Sequence, residues 1–248
     1  MNNEMENSKL RWFNVLETSM KQFFFNQNIK IIKAFNENFV IFKREIIKII
    51  RQDSSRAERI LSDIYRRIMA DYGKLQYKEL MGDTRDFNPA TLELITMFNN
   101  IAREQNKKIQ ESSQKKIERI AKKAIDKGLT IAETTKELQK ELRGLALYRA
   151  TRIARFETIG GCNLASLEGA KQVSGKVDKY WIYTHDSRVR KTHKRAGARY
   201  NKNSPIPLDK KFKVGNTELM YPADRNGDKK EIFGCRCTIG YVRKKEDS

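Results

Sequence analysis

The chain has 248 residues, a formal net charge of +20 and 39% hydrophobic residues, enough for one large domain or two modest ones. It lacks the run of roughly 18–20 apolar residues that a membrane-spanning helix needs, and its polar N-terminus does not resemble a signal peptide. We therefore expect no membrane partner. The charge predicts a polyanionic partner, with DNA as the first candidate and RNA or an acidic protein surface as alternatives. A Lys-rich composition without such a partner is the other interpretation.

Helical periodicity dominates the first 145 residues. A break is predicted at Arg51–Ser55, after which Ser55 and Glu58 form a capping box that opens a second helix. That helix is predicted to end at Gly82. Apolar residues recur every three or four positions before the break, which predicts packing in a core or coiled coil, or docking on another chain: Ile32, Phe35, Phe39, Phe42, Ile46 and Ile49.

A third helix is predicted to begin at Asn88–Pro89, because an N-cap residue precedes a first-turn proline, and to end near Gly128. Its middle, residues 103–114, is almost entirely polar. Such a helix either bridges parts of a structure or packs on a partner. Thr130 and Glu133 then form another capping box.

The sequence changes character near residue 146. A basic helix containing Gly160–Gly161 is predicted from Tyr148 to about Val173, and the glycine pair indicates close packing or a kink. Aromatic and β-branched residues predict strands at Lys179–Thr184 and Cys237–Val242. The predicted fold class is therefore α+β, with a mainly α-helical arm at 1–145 and a small α+β domain at 146–248.

Lys and Arg are densest between residues 188 and 211, in a predicted loop. Such a run contacts nucleic-acid phosphates without reading sequence, and its binding weakens with salt. A solvated basic face is the alternative, and the chain has no base-reading motif. The candidate nucleic-acid-binding residues are Arg188, Arg190, Lys191, Lys194, Arg195, Arg199, Lys210 and Lys211.

Two of the three cysteines stand in a Cys-x-Cys sequence, which does not form a disulfide framework. On an extended chain the side chains of Cys235 and Cys237 share one face, with Arg236 on the other. With His193 they supply three zinc ligands. Buried free thiols or a redox pair remain as alternatives, because zinc sites normally have at least two residues between paired cysteines. Candidates for a fourth ligand are Asp186, His185 and Cys162.

The same residues allow a catalytic hypothesis, in which Asp186 and His193 form an acid–base pair and Cys235 or Cys237 is the nucleophile. The chain has no phosphate-binding Gly-rich loop, His-Glu-x-x-His motif or nucleophile elbow. We therefore expect no enzyme, no catalytic residues and no cofactor other than the zinc considered above, and keep a toxin- or nuclease-like enzyme as the alternative. A structural polar network is expected instead, formed by Arg155, Glu157, Asp186, Arg188, His193 and Asp224.

A series of motifs follows in order between residues 148 and 242: Arg152-Ile-Ala-Arg-Phe-Glu157-Thr, Asn163-x-Ala165, Trp181, Asp186-x-Arg188-x-Arg190-x-x-His193, Pro222-x-Asp224 and Cys235-Arg-Cys237. In order and spacing, this series resembles the C-terminal domain of phage Mu F-like head morphogenesis proteins. Phe156 stands where the family often has Thr, and Gly197 fills the place of a glycine that usually follows the histidine. No such resemblance covers residues 1–145.

The resemblance implies a minor head protein of a tailed bacteriophage that aids head morphogenesis and genome packaging or delivery. The implied partners are the portal protein, other capsid components and double-stranded DNA contacted without sequence preference. The arm at 1–145 is expected either to contact the portal or to self-associate through its N-terminal helices. The implied location is the interior of the virion, and the host cytoplasm during assembly. A toxin context known for this domain keeps the enzyme alternative open, and a DNA-binding scaffold outside any virus is a third hypothesis.

Overall fold

The computed structural model describes residues 3–37 and 42–244 and confirms the α+β class. Across these described residues, no helix combines the length and apolarity needed to cross a membrane. The helices are α1 (Asn3–Glu37), α2 (Phe42–Ile68), α3 (Lys74–Met81), α4 (Leu92–Asp126), α5 (Ile131–Lys171), α6 (Lys191–Arg199) and α7 (Lys229–Ile232). The strands are β1 (Val177–Ile182), β2 (Ile206–Pro207), β3 (Phe212–Val214), β4 (Thr217–Leu219) and β5 (Thr238–Arg243).

The chain packs into two compact units, each assembled from separate stretches of sequence. The mixed unit consists of the described residues within Met1–Phe13, Tyr65–Leu94 and Arg155–Ser248. The helical unit consists of those within Asn14–Ile64 and Ile95–Ala154. The division between 1–145 and 146–248 stays a prediction, and residue 146 lies inside α5.

The helical unit has an aliphatic core to which α1, α2, α4 and α5 all contribute. Its buried members are Ile31, Phe35, Ile46, Ile49, Ile50, Ile117, Ile120, Leu138 and Leu142. The predicted apolar stripe therefore packs inside the chain at Phe35, Ile46 and Ile49, whereas Phe39 and the side chain of Phe42 lie outside the described residues. Self-association through the N-terminal helices stays a prediction, and it requires other residues.

The predicted break at Arg51–Ser55 is wrong, because α2 runs through these residues without interruption. Asp53 is buried and forms an ion pair with Lys30 of α1. The carbonyl and hydroxyl oxygens of Ser54 accept hydrogen bonds from Asn106 of α4, at 2.9 and 2.8 Å. Residues that favour caps in isolation stay helical here because neighbouring helices provide their partners. No capping box therefore opens a second helix at this point.

The predicted start of the third helix at Asn88–Pro89 is also wrong, because α4 begins at Leu92. The Asn88 side chain accepts a hydrogen bond from the Ala90 N–H at 2.9 Å, which closes a local turn instead. The hydroxyl of Thr91 accepts a hydrogen bond from the Leu94 N–H at 3.3 Å, so Thr91 caps the helix.

The other predicted helix ends are confirmed. Gly82 and Gly128 follow α3 and α4 with φ of 86° and 64°, a left-handed conformation that favours glycine. At the start of α5, the Thr130 N–H donates to the Glu133 carboxylate at 2.9 Å, and the Glu133 N–H donates back to Thr130 Oγ1 at 3.3 Å. These predictions succeeded because each one depends on residues that are only a few positions apart in the sequence.

One face of the polar middle of α4 is buried inside the helical unit. Gln110 accepts a hydrogen bond from Gln27 of α1 at 3.3 Å and donates one to Asn106 at 3.0 Å. Arg149 of α5 donates to the Ser113 hydroxyl at 2.9 Å and to the Ile109 carbonyl at 3.0 Å. The polar face therefore packs on helices of the same chain, which satisfy its hydrogen bonds.

The basic helix predicted from Tyr148 is the second half of α5, a single helix of 41 residues. Gly160 and Gly161 do not interrupt it. A Cβ at Gly160 would lie 3.1 Å from the Ala223 carbonyl oxygen, and one at Gly161 would lie 3.2 Å from the Ile68 side chain. The glycine pair therefore permits close packing in the mixed unit.

The mixed unit contains a three-stranded antiparallel sheet with β1 between β2 and β5, and a separate hairpin of β3 and β4. Both predicted strands are confirmed, and Trp181 of β1 pairs with Ile239 of β5. A buried cluster surrounds Trp181: Phe156, Ala196, Tyr200, Phe212, Val214, Leu219, Ala223, Ile232, Cys235 and Cys237. This cluster joins the sheet to α5, α6 and α7.

Candidate functional site

Residues 191–199 form helix α6, so the prediction of a loop for this basic run is wrong. Lys, Arg and Ala all favour helix, which explains the difference. His193 and Ala196 face the core of the mixed unit, and Gly197 lets the helix approach Tyr183, since a Cβ there would lie 2.3 Å from that ring. The exposed side of the helix carries Lys191, Lys194, Arg195 and Arg199.

The other basic candidates flank this helix. Arg188 is exposed, whereas Arg190, the residue before α6, is half-buried and donates a hydrogen bond to the Phe233 carbonyl. Lys210 and Lys211 are exposed and lead into β3, which contacts α6.

The inward side of α6 brings His193 against the two neighbouring cysteines. His193 Nδ1 lies 3.2 Å from Cys237 Sγ and 3.7 Å from Cys235 Sγ. Ligand atoms of all three residues lie within 4.8 Å of one another, and all three side chains are buried. The backbone at 235–237 is irregular and leads into β5, with Arg236 less buried than either cysteine. The structure therefore brings together the three residues that the sequence names as zinc candidates.

One carboxylate and two thiols lie next to the imidazole. His193 Nε2 lies 3.1 Å from Glu231 Oε2, which also accepts a hydrogen bond from the Thr192 hydroxyl at 2.8 Å. Hydrogen bonds from Cys235 and His193 lower the pKa of the Cys237 thiol to about 5. The hydrogen bond to Cys237, together with burial, raises the pKa of the Cys235 thiol. The hydrogen bond between the two thiols therefore favours the ionisation of one of them over that of both.

Asp186 pairs chiefly with Arg236 and more weakly with Arg188. The Arg236 guanidinium donates two hydrogen bonds to the Asp186 carboxylate, at 2.5 and 2.8 Å. Arg188 adds a backbone N–H hydrogen bond at 3.0 Å and a side-chain contact at 3.6 Å. The Arg236 hydrogen bonds hold the pKa of Asp186 well below its ordinary value. Among the described contacts there is no Asp186–His193 pair, which the catalytic hypothesis requires.

The three residues considered as a fourth zinc ligand lie outside the cluster, within the part of the chain that the structure describes. Asp186 is held by Arg236. His185 stacks on Tyr183 with ring centroids 4.3 Å apart. Cys162 is a buried free thiol on α5, and burial raises its pKa.

Glu157 belongs to a separate buried ion pair. Arg225 donates to its carboxylate from Nη2 at 2.8 Å and from Nε at 3.1 Å, and the Tyr65 hydroxyl donates at 2.5 Å. The Glu157 and Arg225 side chains are only 3% and 6% exposed. Arg155 is exposed, and among the described residues no hydrogen bond or ion pair joins Arg155 or Glu157 to Asp186.

Asp224 organises its own loop, because its carboxylate accepts hydrogen bonds from the N–H groups of Met220 at 2.9 Å and Asn226 at 3.1 Å. The residues predicted as one polar network thus form separate sets: Glu157 with Arg225, Asp186 with Arg236 and Arg188, His193 with Glu231, and Asp224 within its loop.

Sequence reasoning missed four partners in these sets: Tyr65, Arg225, Glu231 and Arg236. Arg236 had a usable signal, since the alternation that places both cysteines inward directs Arg236 away from them. Tyr65 and Glu231 had none, because they reach their partners across 92 and 38 positions of sequence.

Comparison with known proteins gives one family match. The family described as Phage Mu protein F like protein matches residues 115–240, half of the chain. The match begins within α4, ahead of residue 148, where the resemblance in the motifs begins. No match was found among curated proteins or solved structures.

Proposed function

We propose that this chain, which belongs to the Phage Mu protein F like family, is a minor head protein of a tailed bacteriophage that contacts packaged DNA near the portal vertex. Membership of this family supports the general part of the proposal, namely a role in phage head morphogenesis and a place in the phage head. The family is a structural one, which supports a non-enzymatic role. The portal, the capsid interior and genome packaging or delivery belong to the proposal.

The observation that supports DNA contact is the exposed face of α6. This helix contains four exposed basic residues and no acidic residue. Among the described residues, no carboxylate pairs with Lys191, Lys194 or Arg195. These charges are therefore available to an external polyanion. The opposite side of α6, which contains His193, is buried and holds the helix in place.

Contact through this face would be independent of DNA sequence. Lys and Arg side chains on one helical face neutralise phosphates, which fixes position on the duplex without reading bases. Arg188, Lys210 and Lys211 extend the same type of surface, whereas Arg190 is partly committed to the Phe233 carbonyl. A protein that holds packaged DNA of any sequence needs this type of contact.

Salt-dependent DNA binding by the full chain tests the DNA part of the proposal. The change is Lys194→Glu with Arg195→Glu on α6, measured by fluorescence anisotropy with duplexes of two unrelated sequences. Equal affinity for both duplexes is expected in the unchanged protein. Loss of two phosphate contacts should make the slope of log K against log salt shallower by about 1.8.

The matched control is Lys107→Glu with Lys108→Glu, two exposed residues of α4 in the helical unit that give the same change in net charge. This control should keep the slope of the unchanged protein. Equal slopes in both variants, or no binding by the unchanged protein at low salt, would contradict DNA contact through α6.

A further inference from the structure

The distances in the His193–Cys235–Cys237 cluster are those of a metal site. A tetrahedral zinc ion with bonds of about 2.3 Å to sulfur and 2.05 Å to nitrogen separates its S and N ligands by about 3.6 Å. His193 Nδ1 lies 3.2 and 3.7 Å from the two sulfurs, on either side of that value. We infer that His193 Nδ1, Cys235 Sγ and Cys237 Sγ bind one Zn²⁺ ion.

The donor set favours zinc on chemical grounds. Two thiolates and one imidazole suit a borderline-soft divalent ion, whereas Mg²⁺ and Ca²⁺ take oxygen ligands. The short Cys-x-Cys spacing is compatible with this site because both side chains reach the same imidazole nitrogen while Arg236 is held by Asp186. From sequence, the single residue between the cysteines argued against a zinc site. The local backbone makes this spacing workable, because Gly234, just before Cys235, adopts a φ of 70°.

The surroundings of the cluster match those of metal-bound histidines. Such a histidine typically presents its second ring nitrogen to a carboxylate, which fixes the ring and raises its basicity as a ligand. Glu231 stands in that position, 3.1 Å from His193 Nε2, and the Thr192 hydroxyl holds the same carboxylate oxygen. Trp181 lies edge-on to the imidazole with ring centroids 5.6 Å apart and excludes water from that side.

Three protein ligands leave one position of a tetrahedral zinc ion for a water molecule. No further His, Cys, Asp or Glu joins the cluster among the described residues. Cys237 lines a cavity of about 360 Å³ whose wall also contains polar side chains of Asn163, Thr184 and Thr238. A water molecule in that cavity can complete the tetrahedron.

The ion would join two separate parts of the mixed unit. His193 lies on α6, and the two cysteines lie on the segment that leads into β5. Zinc would therefore fix the basic helix to the sheet. The inference does not depend on DNA contact, because the cluster lies on the buried side of α6.

Metal content of the reduced, full-length protein tests the inference. After incubation with Zn²⁺ and removal of free metal, elemental analysis should give one zinc per chain. Co²⁺ in place of zinc should give the visible bands of a tetrahedral site and a thiolate charge-transfer band. Cys237→Ser should lose the ion, whereas Cys162→Ser, which removes a buried thiol outside the cluster, should keep it.

A milder variant keeps the test valid if Cys237→Ser does not fold. Glu231→Gln retains all three ligands and should weaken zinc binding roughly 10- to 100-fold in a chelator competition. Absence of zinc and of the cobalt bands in the reduced, folded protein would overturn the inference. Equal loss of metal in Cys162→Ser and Cys237→Ser would overturn it too.

Discussion

The interiors of the helical unit and the mixed unit hold different kinds of buried polar groups. In the helical unit, the side-chain amides of Gln27, Asn106 and Gln110 bond to one another, and the buried Asp53 carboxylate pairs with Lys30, whose side chain is half exposed. In the mixed unit, charged groups and thiols are buried: the Glu157–Arg225 pair and the His193–cysteine cluster. Each unit also has an apolar core, so the difference between them lies in the polar groups that they bury.

This difference indicates where single polar contacts contribute most to the free energy of unfolding. Both units bury an apolar cluster, but the mixed unit also buries an ion pair whose two partners are both costly to leave unpaired. Single substitutions at the charged points should therefore have larger effects than those in the amide network.

The largest expected effect is on the Glu157–Arg225 pair. Arg225→Met should lower the free energy of unfolding by about 3–5 kcal/mol, because it leaves a buried carboxylate without its counter-charge. Denaturant unfolding followed by circular dichroism measures this. Glu157→Met combined with Arg225→Met should lose less than Arg225→Met alone, and an additive or greater loss would contradict the interpretation.

A smaller effect is expected in the helical unit. Gln110→Ala should lower the free energy of unfolding by about 1–3 kcal/mol, since it leaves polar atoms of Gln27 and Asn106 without a partner. The same denaturant experiment applies, with exposed Lys107→Ala as the control. A loss as large as that of Arg225→Met would remove the contrast between the two units.

The smallest effect, and one of opposite sign, is expected at Lys179 of β1. Its ammonium is buried against the Met220 carbonyl and the Phe212 ring, and burial lowers its pKa to about 8. Because the pKa is lower in the folded state, folding is penalised while Lys179 is protonated in both states, below about pH 8. The penalty disappears as pH rises from about 8 towards the ordinary pKa of 10.5.

Loss of the hydrogen bond to the Met220 carbonyl offsets part of the penalty that the substitution removes. Lys179→Met should therefore raise the free energy of unfolding by about 1 kcal/mol at pH 7, and the gain should shrink as pH rises above 8. Unfolding curves at several pH values measure it, with exposed Lys176→Met as the matched control. A gain that persists unchanged above the ordinary lysine pKa would mean that packing, not charge, is responsible.

Much of the fold was predictable because its signals are local. The Thr130–Glu133 capping box and the glycine stops at Gly82 and Gly128 depend on residues a few positions apart. The break at Arg51–Ser55 was wrong because partners from other helices, Lys30 and Asn106, keep those residues helical. Local sequence contains no information about such partners.

The residues of the candidate metal cluster could also be predicted from sequence, but most of their partners could not. The alternation in Cys-x-Cys and the motif order named His193, Cys235 and Cys237, and the structure brings them together. The basic run forms a helix and not the predicted loop, and its contact with nucleic acid stays a prediction. Glu231 and Arg225 act across long sequence separations, so only the folded chain reveals them.

The central claim, that this chain is a minor component of the phage head, is tested most directly by quantitative mass spectrometry of gradient-purified virions and DNA-free procapsids of the phage that encodes it. We expect a few copies per particle in both, because a protein that acts at the portal vertex is recruited before DNA enters. Absence of the protein from both particles would contradict the proposed place and role.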